Sequence, residues 1–246
     1  MGKTRLDQHL VNLSLFESRA RAAAALKAGL VRVNGAIAVK AATGVTANDL
    51  IEAEAEHEFV SRGGVKLDKG LAHFGYQIRD GVFADIGVST GGFTDVLLRG
   101  GAAFIYAVDV GHDQLHGSLV DDARVQNMAG TNARHVTAAQ FDRALSGLVC
   151  DVSFISQEKA MAAIVPLMPV GGWAIALIKP QFEVGKAALG KNGVVSDETL
   201  RRQVCDKVMA WWQAQGWRVD GVIESPITGP QGNVEYLIGA RKIASV

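Results

Sequence analysis

The residues best able to do chemistry in this 246-residue chain fall into two sets. The first is a glycine-rich turn, Asp85-Ile-Gly-Val-Ser-Thr-Gly-Gly-Phe93, with Asp109 beyond it. The apolar run Val82–Ile86 reads as a buried strand, Phe93–Leu98 as the opening of a helix that stops at Gly100-Gly101, and Ala103–Val108 as a strand ending on Asp109. Strand, turn, helix, strand and acid make the first half of a nucleotide-type α/β site. Gly87, Gly91 and Gly92, with Ser89 between them, let the backbone approach a ligand closely because a Cβ there would collide with it. Asp109 stands 22 residues after Gly87, where a carboxylate reaches the two hydroxyls of a ribose. The turn is neither G-x-x-x-x-G-K-[ST] nor G-x-G-x-x-G. A ligand with a ribose but no pyrophosphate fits best, and S-adenosylmethionine is the obvious one. The same pattern also serves as a plain βαβ turn with no ligand.

The second set is Lys66, Asp151, Lys179 and Glu235. Ligands of open α/β sheets bind beyond the carboxyl ends of parallel strands. Asp151 lies in the apolar run Gly147–Ser153, and Lys179 closes Trp173–Ile178 just before Pro180. Glu235 opens a final strand expected to run antiparallel, which brings its start to the same rim. Lys66 comes from the helix before the first strand. Taken singly, each reads equally well as a surface or salt-bridged residue; placed together they form a Lys-Asp-Lys-Glu cluster. Such a cluster has a use beside a methyl donor. A ribose 2′-hydroxyl is a poor nucleophile until its proton is loosened, and a lysine can do this where burial and neighbouring cations favour the neutral amine. An adjacent carboxylate orients the amine while opposing its neutralisation, and the second lysine and the glutamate complete the network that holds the hydroxyl in line.

These residues need a scaffold, and the chain supplies the pattern for one. Strands are expected at 82–87, 103–109, 124–128, 148–153, 173–178, 218–224 and 234–241. Helices are expected from Lys66 through Leu67, Leu71 and Phe74, at 93–99, around Gln114–Leu119, at 158–167 and at 197–215. The last carries Leu200, Val204, Val208 and Trp211 on one face, with Ser196 as cap and Gly216 as stop. The result is an α/β, Rossmann-like, seven-stranded mixed sheet of the class I methyltransferase type, its final pair forming an antiparallel edge. Glu183–Ser196 is a long Gly- and Lys-rich loop, as fit to be a lid as a plain connector. Before the sheet lies a small α+β module. Leu6, Leu10 and Leu13 share a helical face, Ser18 caps a second helix through Ala20–Lys27, Gly29 ends it, and Asn34-Gly35 joins Val31–Val33 to Ile37–Val39 as a hairpin. The expected division is 1–59 for this module, 60–80 for a linker and leading helix, and 81–246 for the sheet.

Charge sharpens the division. The chain holds 25 Lys/Arg and 25 Asp/Glu, yet residues 1–50 carry seven basic and three acidic residues. A basic head on a mildly acidic body is the outline of a nucleic-acid-binding appendage, although a solvated helix surface gives the same imbalance. No apolar run approaches the roughly 18 residues needed to span a bilayer, and no apolar segment follows the charged N-terminus, so a cytoplasmic protein is expected. Cys150 and Cys205 match no metal or redox spacing, and no metal is expected. Cys150 also lacks the Pro-Cys context of attack on a pyrimidine ring, and Asp151-Val-Ser-Phe154 is not the Asp/Asn-Pro-Pro-aromatic pattern of amine methylation.

Arg5-Leu-Asp7, Ser18-Arg19 with Ala22 and Ala23, and Gly29-Leu-Val-Arg-Val-Asn-Gly35 together resemble the S-four RNA-binding domain first described in a small-subunit ribosomal protein, over about residues 4–52. The resemblance implies that Arg5, Arg19, Arg21 and Lys27 lie on the face that meets structured RNA, where cations neutralise phosphates and shape is read.

A longer series follows in order: Val60-Ser-Arg-Gly-Gly64 with Lys66, Asp85–Phe93 through Asp95, Val108-Asp-Val-Gly111, Thr131-Asn-Ala-Arg134, Asp151-Val-Ser-Phe-Ile-Ser156, Lys179-Pro-Gln-Phe-Glu183, and Gly229-Pro with Gly232-Asn-Val-Glu235. Spanning nearly the whole chain, it resembles the TlyA (haemolysin A) family, an S-four domain fused to an FtsJ-like 2′-O-ribose methyltransferase. The resemblance implies methylation of cytidine riboses in ribosomal RNA, as free RNA or an assembled subunit. It places the tetrad on Lys66, Asp151, Lys179 and Glu235. Cofactor contacts fall on Asp85, Gly87, Ser89, Gly91, Gly92, Phe93 and Asp109, with Asn132 near the adenosine. The short N-terminus matches compact family members associated with large-subunit RNA. Two departures stand out. Met128-Ala-Gly precedes Thr131-Asn132 where relatives often carry Glu-Arg, which bears on the adenosine contact. Gln157-Glu-Lys159 replaces more apolar residues, which bears on the rim near Asp151. A non-catalytic RNA-binding or ribosome-assembly factor and a cytolysin are the alternatives; no signal or amphipathic membrane helix supports the latter. The oligomeric state, monomer or homodimer, is left open.

Overall fold

The computed structural model describes residues 3–13, 15, 16, 18–53, 57–185 and 188–245. They divide into two units, Met1–Glu58 and Phe59–Val246.

The larger unit is built on seven strands: β1 (Val82–Ile86), β2 (Phe104–Val108), β3 (Val125–Met128), β4 (Gly147–Cys150), β5 (Trp173–Ile178), β6 (Trp217–Glu224) and β7 (Tyr236–Lys242). Their order across the sheet is β6-β7-β5-β4-β1-β2-β3. The five strands from β5 to β3 are parallel, while β7 runs antiparallel between β5 and β6. Short runs of Val, Ile, Leu and Ala suit strands buried on both faces. Alternate residues then sort into two cores. Phe83, Ile105, Val149, Ile175, Leu177 and Leu237 face one way, packed with Leu67, Phe93 and Leu97 from the helices Gly63–Phe74 and Gly92–Arg99. Ile86, Tyr106, Leu148, Cys150, Ile178 and Ile238 face the other, with Val204, Val208 and Trp212 from the helix Glu198–Ala214. Each fully buried Leu or Ile contributes about 1.5–3 kcal/mol relative to exposure.

Several boundaries differ from the pattern reading. The leading helix begins at Gly63, three residues before Lys66. Gly63 and Gly64 form its first turn, and Gly64 has no room for a side chain, since a Cβ there would lie 2.4 Å from Phe59 Cγ. Asp197, not Ser196, caps the long helix, accepting from the amides of Thr199 and Leu200. Its buried stripe runs through Val204, Cys205, Val208 and Trp212; Trp211 lies one step off that line. The segment 158–167 is broken into a helix Gln157–Met161 and a 3₁₀ turn Val165–Leu167 that contains Pro166. Strand β4 ends at Cys150 and β7 starts at Tyr236, so Asp151 and Glu235 stand just outside their strands. In the loop 183–196, residues 186 and 187 lie outside the described residues. Its far end is anchored, with Val195 buried and its amide donating to Asn233 Oδ1 at 3.1 Å.

The smaller unit has helices Leu6–Asn12 and Arg19–Lys27 and the strands Val31–Val33, Ala36–Ile37 and Ile51–Ala53 in one sheet, with Thr4–Arg5 paired to Gly44–Val45. Ser18 caps the second helix through the Arg21 amide, and Asn34 and Gly35 take φ values of 51° and 79°, the left-handed pair a tight hairpin requires. Leu6, Leu10, Ala22, Ala25, Leu26 and Val31 form its core, but Leu13 is 48% exposed, because the first helix has already ended at Asn12. Of the acidic segment between this unit and the next, residues 54–56 lie outside the described residues.

Candidate active site

Strand register brings the four charged residues together. Ile178 on β5 pairs with Tyr236 on β7, so the next residue outward on each strand is Lys179 and Glu235. Cys150 on β4 pairs with Ala176 on β5, which sends Asp151 over the same edge. Lys66 reaches the edge from the helix Gly63–Phe74, whose Gly70 approaches Ile175 closely enough that a Cβ would lie 3.2 Å from Ile175 Cγ2. The amine of Lys66 donates to Glu235 Oε2 at 2.8 Å and lies 3.6 Å from Asp151 Oδ2. Lys179 Nζ is 2.5 Å from Asp151 Oδ1 and donates to Ser153 Oγ at 3.0 Å. Both lysines are 8% exposed and Glu235 1%. Ions buried this deeply are tolerated when each has partners, and here two cations and two anions alternate. Gly229 makes room for Glu235, since a Cβ there would lie 2.1 Å from Glu235 Oε1.

Two clefts meet at this edge, where the chain crosses from β3 to β4 and strand order reverses. One, of about 740 Å³, is lined by Gly87, Ser89, Asp109, Val110, Asn132 and Asp151, among others. The second, of about 490 Å³, is lined by Arg62, Lys66, Phe93, Lys179 and Thr228, and shares Gly87, Ser89, Asp151 and Ser153 with the first. Gly87 has φ +82°, and a Cβ on it would lie 2.7 Å from the Asp151 carbonyl oxygen. Its lack of a side chain lets the turn close against the backbone that follows β4, at a point that lines both clefts. Asp109 accepts from the amide of Ser89 through Oδ2 and of Gly111 through Oδ1, both at 2.8 Å. Each oxygen keeps a second lone pair, enough for one hydroxyl of a vicinal diol. Exposed Val110 supplies an apolar wall beside it. A carboxylate for a diol, an apolar wall and a side-chain-free turn fit the ribose and adenine of S-adenosylmethionine.

Other predicted contacts sit elsewhere. Asp85 is wholly buried behind the turn and lines neither cleft. Thr94 Oγ1 donates to its Oδ2 at 2.7 Å, Oδ1 has no hydrogen-bond partner among the described residues, and burial pushes its pKa up to about 7. Gly91 also lines neither cleft; a Cβ on it would strike Leu119 Cδ1 at 2.3 Å, so its constraint is internal packing. Gly92 and Phe93 line the second cleft. Gln157 is not on the rim. It is 1% exposed, accepts from Trp212 Nε1 at 2.5 Å, donates to the Leu177 carbonyl at 3.1 Å, and its backbone amide donates to Glu183. A buried amide with its own set of partners replaces the apolar residue there. Lys159 does reach the first cleft.

Sequence reasoning missed Phe154. It is 90% exposed, has φ +66°, and lies with its ring 5.1 Å from that of Phe182. Reading 148–153 as strand hid it; a strand ending at Cys150 leaves Phe154 in the loop beyond. Together with Gln181, Asn192 and Gln231, these rings line a smaller pocket of about 290 Å³ that also borders Lys179 and Glu235.

In the smaller unit, Arg5 Nε lies 3.0 Å from Asp7 Oδ1 and Arg19 Nη2 2.8 Å from Asp7 Oδ2. Hydrogen bonds from Arg5 and then Arg19 hold the Asp7 carboxyl well below the usual range. The two guanidinium groups are about half exposed and splinted from behind. Arg21 donates to the His57 carbonyl at 3.3 Å, and Lys27 is exposed.

A doubly wound sheet with an antiparallel β7 insertion, and a cleft at its switch point, is the architecture of an α/β methyltransferase. Residues 59–242 match the FtsJ-like methyltransferase family and residues 4–51 the S4 domain. The chain belongs to the FtsJ-like methyltransferase family and carries an S4 domain at its N-terminal end. It is 42% identical, over 97% of its length and 90% of the relative's, to the 16S/23S rRNA (cytidine-2′-O)-methyltransferase TlyA of Mycobacterium tuberculosis. It is 38% identical to Hemolysin A of Brachyspira hyodysenteriae, over 95% and 98% of the two chains. A solved structure from Streptococcus thermophilus, named as a hemolysin, superposes with a TM-score of 0.76 at 38% identity, covering 100% of this chain and 90% of that one. No described helix is long and apolar enough to cross a membrane, and no group of three metal-ligating side chains occurs among the described residues.

Proposed function

We propose that this chain transfers a methyl group from S-adenosylmethionine to the ribose 2′-hydroxyl of a cytidine in ribosomal RNA, with large-subunit RNA favoured, in the cytoplasm. The observation that carries the reading is the shared wall of the two clefts. Lys66, Lys179 and Asp151 line one cleft, with Glu235 buried behind Lys66, and Asp109 lines the other, with Gly87 common to both. The similarity to a cytidine-2′-O-methyltransferase adds support.

Bound S-adenosylmethionine supplies an electrophilic methyl group; the remaining work falls to the chain. Asp109 holds the ribose diol, and Val110 and Asn132 border the adenine. Lys179, oriented by Asp151 and Ser153, receives the proton of the acceptor 2′-hydroxyl when its amine is in the neutral form. Asp151 stabilises the ammonium ion so formed, and Lys66 with Glu235 fixes the attacking oxygen. Phe154 and Phe182 offer an aromatic face for the acceptor base. Residues 1–59 serve as the RNA-docking module through Arg5, Arg19, Arg21 and Lys27, residues 60–80 as linker and leading helix, and 81–246 as the catalytic domain.

The test is transfer of tritiated methyl groups to ribosomal subunits and to deproteinised ribosomal RNA. Alkali-resistant label mapping to a 2′-O-methylcytidine is expected. Failure to label any RNA would leave only a non-catalytic RNA-binding role.

A further inference from the structure

The run Lys179-Pro-Gln-Phe-Glu183 contributes its lysine to the tetrad and its phenylalanine to the pocket of about 290 Å³. Its last residue, Glu183, lines none of the three clefts around the tetrad. Glu183 Oε1 instead accepts from the backbone amide of Gln157 at 2.7 Å. Gln157 opens the helix Gln157–Met161, whose cap residue Ser156 makes no side-chain hydrogen bond. An orphan amide at a helix start needs an acceptor, and here a carboxylate from another segment supplies it. Gln157 is itself fixed in the core: its side chain is bonded to Trp212 Nε1 and to the Leu177 carbonyl. The bond therefore ties the turn Pro180–Glu183, which follows β5, to a firm post in the segment that follows β4.

Two braces result. At the inner end Lys179 Nζ donates to Ser153 Oγ at 3.0 Å, and at the outer end the Gln157 amide donates to Glu183. Phe154 follows Ser153 and Phe182 precedes Glu183. The two rings thus stand between the braces, their centroids 5.1 Å apart and their planes inclined by 47°. The lysine of the inner brace is set by strand register; the outer brace depends on one carboxylate. Phe154 holds φ +66°, a conformation that a bulky residue keeps only where its surroundings over-determine it. Lys179 Nζ is 6.0 Å from the centre of the Phe182 ring, the outer limit of a cation–π contact, so the ring borders the catalytic amine without holding it. We propose that Glu183 is a positioning residue that fixes the angle between the Phe154 and Phe182 rings and so presents them to the RNA as one preformed corner. It acts through Phe182 and leaves the Lys179–Asp151 pair alone. The proposal rests on the methyl-transfer reading above and deepens its acceptor side.

The experiment is steady-state methylation of ribosomal RNA by the full-length protein, with kcat and KM for RNA measured separately. The proteins are wild type, Glu183→Ala, Glu183→Gln, Phe182→Ala and the Phe182→Ala/Glu183→Ala double variant, each also tested for S-adenosylhomocysteine binding by calorimetry and for its melting temperature. Phe182→Ala should raise KM by about 5- to 150-fold, the worth of one aromatic stack on a base. Glu183→Ala should raise KM by about 3- to 30-fold while kcat and S-adenosylhomocysteine affinity stay within about 2-fold of wild type. It should melt about 2–4 °C lower for the lost cap. In the Phe182→Ala background, Glu183→Ala should add less than about 2-fold, since the ring it positions is gone. Glu183→Gln keeps an acceptor for the Gln157 amide and should hold KM near the wild-type value. An unchanged KM in Glu183→Ala, factors that multiply in the double variant, or Glu183→Gln as impaired as Glu183→Ala overturns the proposal. Loss of fold, of kcat or of S-adenosylhomocysteine binding in Glu183→Ala overturns it equally, because the role would not be confined to the acceptor side. Wild type that labels no RNA would sink the proposed function, and this proposal with it, a result distinguishable from any change seen only in the variants.

Discussion

Lys179 and Asp151 meet at 2.5 Å although they follow two different strands, because β4 and β5 run parallel in register and each ends within a residue or two of its charge. The pair is therefore fixed by the sheet and does not depend on loop conformation. On the proposed mechanism, Lys179→Ala should lower kcat by about 10²- to 10⁴-fold, the usual worth of a positioned base, with S-adenosylhomocysteine binding retained because Asp109 and Val110 are untouched. Lys179→Arg should not restore turnover, since guanidinium cannot release its proton at working pH. Single-turnover methylation with parallel calorimetry reads both effects; full activity in Lys179→Ala would exclude it as the base.

Asp85 gives a pH signature separable from catalysis. Burial raises its folded-state pKa from 3.8 to about 7. Between those values the folded protein holds a proton that the unfolded chain has released, so stability falls as pH rises from about 4 to 7 and levels off above. Asp85→Asn keeps an acceptor for Thr94 Oγ1 and cannot ionise. Urea unfolding at pH 5.5 and 8 should show wild type losing stability across the interval and the variant losing less. A wild-type curve that is flat or rising over that interval would refute the assignment.

How far the sequence anticipates the molecule depends on the kind of contact. Strands such as Trp173–Ile178 announce themselves because apolar runs buried on both faces have no other soluble use. The rim cluster is legible for the same reason: Asp151, Lys179 and Glu235 interrupt apolar runs. Asp85 interrupts one too, yet stays interior, because it lies within β1, which is covered on both faces, whereas the other three stand beyond the ends of their strands. Gln157 looks like a surface residue until the fold places Leu177 and Trp212 around it. Nothing in the sequence marks Phe154 as exposed; that follows from β4 stopping at Cys150, which leaves the ring in the loop beyond. Local pattern shows which residues are unusual; tertiary placement decides what each one touches.

In the S4 unit, Asp7 splints Arg5 and Arg19 from behind while leaving each about half exposed. If both neutralise phosphates, Arg19→Ala should weaken RNA binding and reduce the slope of log K against log salt by about one. Asp7→Asn retains both cations and should leave the slope near wild type while lowering affinity. Filter binding to ribosomal RNA across a salt series separates the two; an unchanged slope in Arg19→Ala would remove that residue from the docking face.

Phe154 offers the sharpest separation of stability from function. A ring 90% exposed buries little, and its φ of +66° is costly for a bulky side chain. Phe154→Ala should therefore change folding stability by no more than about 0.5 kcal/mol, and Phe154→Gly, which relieves the backbone, should raise the melting temperature. If the ring stacks on a base of the bound RNA, both variants should lose roughly 1–3 kcal/mol of that contact, a fall in kcat/KM for RNA of about 5- to 150-fold, with S-adenosylhomocysteine affinity unchanged. A glycine variant that gains stability and keeps full activity would show that the strained, exposed aromatic has no part in RNA recognition. The two measurements, thermal melts and methylation at subsaturating RNA, are independent, so loss of activity cannot be mistaken for loss of fold.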